Sequence, residues 1–172
     1  LAVNQTATQG AVSVTGTADT TKVSVIQSGN VTAEAASAAS ANSQNVFAGL
    51  KGNVAGAVTI ADLNAGTQLA ATITEVTLQN YGVSTISSNK LATLTLSGTG
   101  VSGAGTALTT GTLGLTDGLT TPTVTALALN LGGGFLGTIN DASNKFVTVN
   151  ANMTASTKLN AFTDTALKTL AI

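Results

Sequence analysis

What most constrains this chain is a short unit that keeps returning: an apolar residue, a small residue, and a second apolar one. It occurs as Val12-Ser13-Val14, Val23-Ser24-Val25, Val58-Thr59-Ile60, Val76-Thr77-Leu78 and Leu94-Thr95-Leu96, and again as Leu113-Gly114-Leu115, Leu127-Ala128-Leu129, Val147-Thr148-Val149 and Leu170-Ala171-Ile172. In a strand successive side chains point to opposite faces, so each unit predicts a strand with one buried face. From Ile60 the second apolar position steps through 78, 96, 115, 129, 149 and 172, at intervals of about 20 residues. Turn formers separate the units: Gly98-Thr99-Gly100, Asp117-Gly118, the GGG run at 132–134, and Asn140-Asp141.

Several intervals carry a second apolar pair, as in Val83-Ser84-Thr85-Ile86 and Phe135-Leu136-Gly137-Thr138-Ile139. Two or three short strands per unit describe one coil of a stacked parallel structure. A β-sandwich would space its strands more closely and fill a wider core with aromatics. The predicted fold class is therefore all-β, a parallel β-solenoid (β-helix) with irregular coils of about 20 residues.

Residues 1–31 supply N-terminal strands, 32–53 an Ala-rich excursion, and 54–172 the main body. Within the excursion, TAEAASAASA (32–41) lacks β-branched residues after its start and is read as a short helix or a loose excursion between the first coils and the rest. Val58, Ile60, Val76, Leu78, Leu94, Leu96, Leu127, Leu129, Val147 and Val149 are expected to point inward. Phe47, Tyr81, Phe135, Phe146 and Phe162 are expected to mark wider coils or caps, and Pro122, which cannot donate to a ladder, a coil corner.

Composition closes off other classes. Mean hydropathy is +0.38 and formal net charge −1, the opposite of a disordered chain. No apolar run reaches the roughly 18 residues of a membrane span, so no membrane insertion is expected. Six scattered lysines and no arginine give nothing to neutralise a phosphate backbone, so no nucleic-acid partner is expected. Without His or Cys, catalysis would rest on carboxylates, lysines and hydroxyls. The acids Asp19, Glu34, Asp62, Glu75, Asp117, Asp141 and Asp164 are dispersed rather than paired. Ser87, Ser88 and Lys90 have the spacing of a Ser/Lys dyad, a coincidence expected where Ser and Thr abound. The chain is not expected to be an enzyme.

Calcium is the more plausible ligand chemistry, since it takes six to eight oxygens from carboxylates, amides and carbonyls. Asp117 in Thr116-Asp117-Gly118 and Asp141 in Asn140-Asp141-Ala142-Ser143-Asn144 are the candidate ligands, in turns with further oxygens nearby. Both are also ordinary turn formers. Thr-x-Thr pairs such as Thr72-Ile73-Thr74 and Thr93-Leu94-Thr95 recur too irregularly to build a flat ice-binding face.

The blocks GAVTIAD (56–62), ITEVTLQNYGVSTI (73–86) and LATLTLSGTG (91–100) give the chain a family likeness. Across roughly 50–130 it resembles the central repeats of proteobacterial surface-layer (S-layer) proteins of the RTX, type I-secreted kind. The resemblance implies a β-solenoid lattice region, secreted and assembled into a two-dimensional sheet outside the cell, with calcium promoting assembly. The calcium nonapeptide GGxGxDxUx is absent: the nearest stretch, 132–137, lacks the Asp in register, so no calcium ligand carries over.

The function expected is structural: a segment of a self-assembling extracellular layer at the bacterial cell surface. Its partners would be copies of itself and other domains of a longer parent chain, since neither Leu1-Ala2-Val3 nor Leu170-Ala171-Ile172 reads as a charged cap. A surface binding module, adhesin or ice-binding, is the alternative, and a carbohydrate-active β-helix enzyme a third.

Overall fold

Strands form wherever the repeated unit alternates Val, Leu or Ile with Thr and Ser, as the stiffness of β-branched side chains favours. This computed structural model describes residues 1–5, 10–27, 32–33, 50–51, 56–98, 110–155 and 157–172, and no helix occurs among them. The strands, in chain order, are β1 (Ala2–Gln5), β2 (Val12–Thr15), β3 (Lys22–Gln27), β4 (Thr32–Ala33), β5 (Leu50–Lys51), β6 (Val58–Ala61), β7 (Glu75–Gln79) and β8 (Ser84–Ser87). They continue as β9 (Thr93–Ser97), β10 (Leu113–Thr116), β11 (Ala126–Leu131), β12 (Gly134–Asp141), β13 (Thr148–Met153), β14 (Thr157–Thr163) and β15 (Thr169–Ala171). Strands β4 and β5 pair antiparallel with each other, and the helix read at 32–41 otherwise lies outside the described residues.

The remaining strands build two wholly parallel sheets. Sheet A runs β1-β3-β7-β9-β11-β13-β15, and sheet B runs β2-β6-β8-β10-β12-β14. The chain passes from one sheet to the other at each step of this series. A layer is thus one strand of each sheet, hydrogen-bonded to its counterparts in the layers on either side.

This alternation corrects the single series of apolar positions read from the sequence. Ile60 and Leu115 belong to sheet B, while Leu78, Leu96, Leu129 and Val149 belong to sheet A. Within a sheet the partners are further apart or closer than that series implies: Thr59 pairs with Thr85, and Val76 with Leu94. Ile172 lies beyond β15 and is 81% exposed.

Nine of the ten residues expected to face inward are buried, and Val147 is half-buried. Val23, Val76, Leu94 and Leu129 form one column of sheet A, and Val14, Ile60, Ile86 and Leu115 one of sheet B. Val83 and Ile86 are three apart, so a strand cannot bury both: Ile86 enters the core and Val83 stands 72% exposed. Ser84 takes the inward place instead, its hydroxyl accepting from Val58 N at 2.9 Å and donating to Gly82 O at 2.8 Å. Tyr81 and Phe146 are buried in the core, Phe135 and Phe162 are half-buried, and Phe47 lies outside the described residues. Pro122 sits in the connection between β10 and β11.

Two residues before β2, β6, β8 and β10, and within β12, runs a column of glycines along sheet B, Gly10, Gly56, Gly82, Gly111 and Gly137, fixed by the strand registers. Here backbones of adjacent layers meet directly: a Cβ on Gly111 would lie 2.1 Å from the Gly82 carbonyl carbon. Gly111→Ala is therefore expected to cost about 3 kcal/mol in urea unfolding, as overpacked backbone contacts do. Gly114→Ala, whose added Cβ would come no nearer than 3.6 Å to a side chain, should shift stability by less than about 0.5 kcal/mol. Equal stability of the two variants would show that the column does not set the approach of the layers.

Candidate functional site

At the other end of each sheet B strand the chain turns toward sheet A, and its next N–H groups leave the ladder. A buried donor without an acceptor costs about 1–3 kcal/mol, so something must accept from them. From β6 onward each layer places an oxygen-bearing side chain there: Asp62, Ser88, Asp117, Asp141 and Asp164.

One oxygen of each closes the turn locally. Ser88 Oγ accepts the N–H of Lys90 at 3.1 Å, Asp117 Oδ1 that of Leu119 at 2.7 Å, and Asp141 Oδ1 that of Ser143 at 3.1 Å. Asp164 Oδ1 accepts from Ala166 at 2.7 Å, and Asp62 Oδ1 from Leu63 at 2.7 Å. Such bonds let Asp and Ser imitate a backbone turn.

The second carboxylate oxygen faces inward. Asp62 Oδ2 accepts from Ile73 N at 2.6 Å, from Thr72 N at 3.0 Å and from the Ser88 hydroxyl at 2.8 Å. Asp141 Oδ2 accepts from Lys145 N at 2.7 Å, and Asp164 Oδ2 from Phe146 N at 2.9 Å. Asp117 Oδ2 differs. It is buried, accepts no hydrogen bond, and faces the Lys145 ammonium, with Nζ 3.4 Å away.

Lys145 is itself 2% exposed. Its Nζ donates to Ser88 O at 2.8 Å and lies 4.8 Å from the centre of the Phe146 ring. Burial draws its pKa below the usual lysine value, against the opposing pull of Asp117 and Asp141. Burial also acts to raise Asp62, but the N–H of Ile73, the Ser88 hydroxyl and the donors of Thr72 prevail and hold it below 3.8. Asp141 goes the other way. Burial, with the Asp164 carboxyl beside it, lifts it above 3.8 despite the N–H groups of Lys145 and Phe146.

The structure thus places both calcium candidates, Asp117 and Asp141, in one corner column. Their surroundings do not fit calcium, which needs a shell of oxygens. Here the carboxylates face N–H donors and an ammonium, and no group of three acids able to hold a metal occurs among the described residues. Of the Ser/Lys pair, Ser88 Oγ lies between Asp62 Oδ2 and Ile73 O, at 2.8 and 2.9 Å, and serves the corner.

Lys145 was missed in the sequence because nothing in Ser143-Asn144-Lys145-Phe146 marks it as buried. The corner itself has a signal. Gly56 and Asp62, Gly82 and Ser88, and Gly111 and Asp117 are each six apart and bracket one sheet B strand.

Beside the glycine column lies a groove of about 440 Å³, lined by Val83, Thr112, Phe135, Thr138, Lys158 and Asn160 among others. Lys158 Nζ is 5.8 Å from the centre of the Phe135 ring.

Asp62→Ala strips the acceptor from buried N–H groups of Thr72 and Ile73 and is expected to cost about 3 kcal/mol at neutral pH. Because the folded pKa of Asp62 is lowered, its contribution is present above 3.8 and lost as pH falls through the folded value. The stability gap between wild type and variant, followed by urea unfolding, should therefore narrow as pH is taken below 3.8. A gap that widens there would contradict this account. Asp141 has the opposite sign: its raised value contributes below 3.8 and is lost as pH rises through the folded value.

In comparisons with known proteins, no family model matches the chain, and neither a curated protein nor a solved structure matches it closely enough to mark a relative.

Proposed function

We propose that this chain is a β-solenoid segment of a structural protein, in which each layer closes one coil and the coils assemble into an extracellular layer at the bacterial cell surface. The observation that carries this reading is the rule by which the fold grows. The apolar columns run on through β14 and β15, as Ile139 over Phe162 and Val149 over Leu170, so a further layer, from another copy or another part of a longer chain, would find a matching surface there. Leu170 in β15 is 51% exposed, and Leu159, Phe162 and Leu167 are only partly covered. Open strand edges of this kind template further pairing. A net charge of −1 sets little repulsion against it.

A surface binding module is the second reading, favoured by the groove at Phe135 and Lys158, which pairs a ring face with a cation and amide and hydroxyl groups.

Light scattering over a concentration series, with and without millimolar calcium, together with electron microscopy, tests the structural reading. Growth into fibres or ordered sheets is expected, and Leu170→Lys, which puts a charge on the β15 edge, should suppress it without unfolding the chain. A protein that stays monomeric at high concentration in both conditions and forms no array would overturn it.

A further inference from the structure

The corner column contains a pair of groups that folding alone does not account for. In the layers of Asp62, Asp141 and Asp164 the inward carboxylate oxygen is held by backbone N–H donors. In the layer of Asp117 it faces a primary amine. We propose that Asp117 and Lys145 join in an intramolecular isopeptide bond, an amide between Cγ of Asp117 and Nζ of Lys145 that ties two layers together covalently.

Four features of the geometry carry this. The amine lies against the carboxyl group it would attack: Nζ is 3.4 Å from Oδ2, and the two side chains are 1% and 0% exposed. The two oxygens of Asp117 are differentiated as the reaction needs. Oδ1 accepts the Leu119 N–H at 2.7 Å, which polarises it as the carbonyl and would hold the charge that develops there on attack, while Oδ2 is bound by no donor and is free to leave. The amine is oriented, since Nζ is anchored on Ser88 O at 2.8 Å, and the backbone beneath it is fixed by Lys145 N donating to Asp141 Oδ2 at 2.7 Å. Finally, the burial of both side chains, with the Phe146 ring 4.8 Å from Nζ, excludes water, and that burial draws Lys145 toward the neutral amine against the pull of Asp117 and Asp141.

The step balances without a co-reactant. A proton passes from the ammonium to Oδ2, giving a free amine and a carboxylic acid. The nitrogen lone pair adds to Cγ, the C–Oδ2 bond breaks, and Oδ2 departs as water carrying two hydrogens that both came from Nζ. The product is a neutral amide whose oxygen, Oδ1, keeps the Leu119 N–H. Two buried charges, whose desolvation their mutual attraction offsets poorly, are replaced by none.

The purified full chain is examined by intact mass spectrometry in denaturant and by peptide mapping after trypsin digestion. The expected result is a chain lighter by one water molecule, no cleavage after Lys145, and a branched peptide joining the segments that hold Asp117 and Lys145. Chain expressed into and kept in denaturant, so that it never folds, should carry the full mass and lose one water on refolding. Lys145→Met and Asp117→Ala should both retain full mass. Should either variant fail to fold, the comparison of folded with never-folded wild type decides alone. Full mass in folded wild type after prolonged incubation at neutral pH overturns the proposal. So does loss of water with trypsin still cutting after Lys145 and no branched peptide, because Asp117 precedes Gly118 and a cyclic imide there would also shed one water.

Discussion

The parallel hydrogen-bond ladder between layers is the constraint on which everything else in this molecule rests. It holds neighbouring strands roughly 4.8 Å apart and in register, so a residue type that works at one height must work at the next. The apolar columns, the glycine column and the oxygen-bearing corner are three solutions repeated under that one spacing. Even the outward faces obey it: Thr59 pairs with Thr85, and Thr77 with Thr95, giving the small polar ladders that steady a sheet.

The corner is where this repetition becomes chemically costly. A turn out of a buried strand needs acceptors for its N–H groups, and carboxylates are strong ones. Stacking them in register, as Asp141 and Asp164 are, however, brings like charges together. Three responses occur along the column: Asp62 surrounds itself with donors, Asp141 lies beside Asp164 and holds its proton more tightly, and Asp117 meets Lys145. Ser88, the uncharged member, separates Asp62 from Asp117 and supplies the carbonyl on which the lysine rests.

The apolar-x-apolar units located the strands because one buried face leaves a period of two in any sequence. They did not say to which sheet a strand belongs, since Ile60 and Leu78 look alike although they face the core from opposite sheets. That distinction was written in the flanks, in the Gly-to-Asp spacing around Val58-Thr59-Ile60 and Leu113-Gly114-Leu115. Ser84 concealed it further by taking an apolar place in its layer while Val83 stood outside. Of the corner, Asp117 and Asp141 were legible as turn residues, but a buried lysine leaves no local trace. Lys145 reaches Ser88 across 57 positions of chain, a contact that only the stacked layers define.

The lengths of the links between layers tell something about how such a chain can change. In sheet A the step from Glu75 to Thr93 takes 18 residues, whereas that from Lys22 to Glu75 takes 53 and includes β4 and β5, yet both arrive in the same register. The entropy of closing a loop rises only with the logarithm of its length, so the longer link costs about 1 kcal/mol more than the shorter. Close backbone contact at Gly56 forbids added bulk there, yet the chain just before it, in the link from β3 to β6, departs and returns. Added chain in such a fold is thereby channelled: the stacked layers keep their register, and extra length becomes a side excursion that a fixed scaffold holds out to its surroundings.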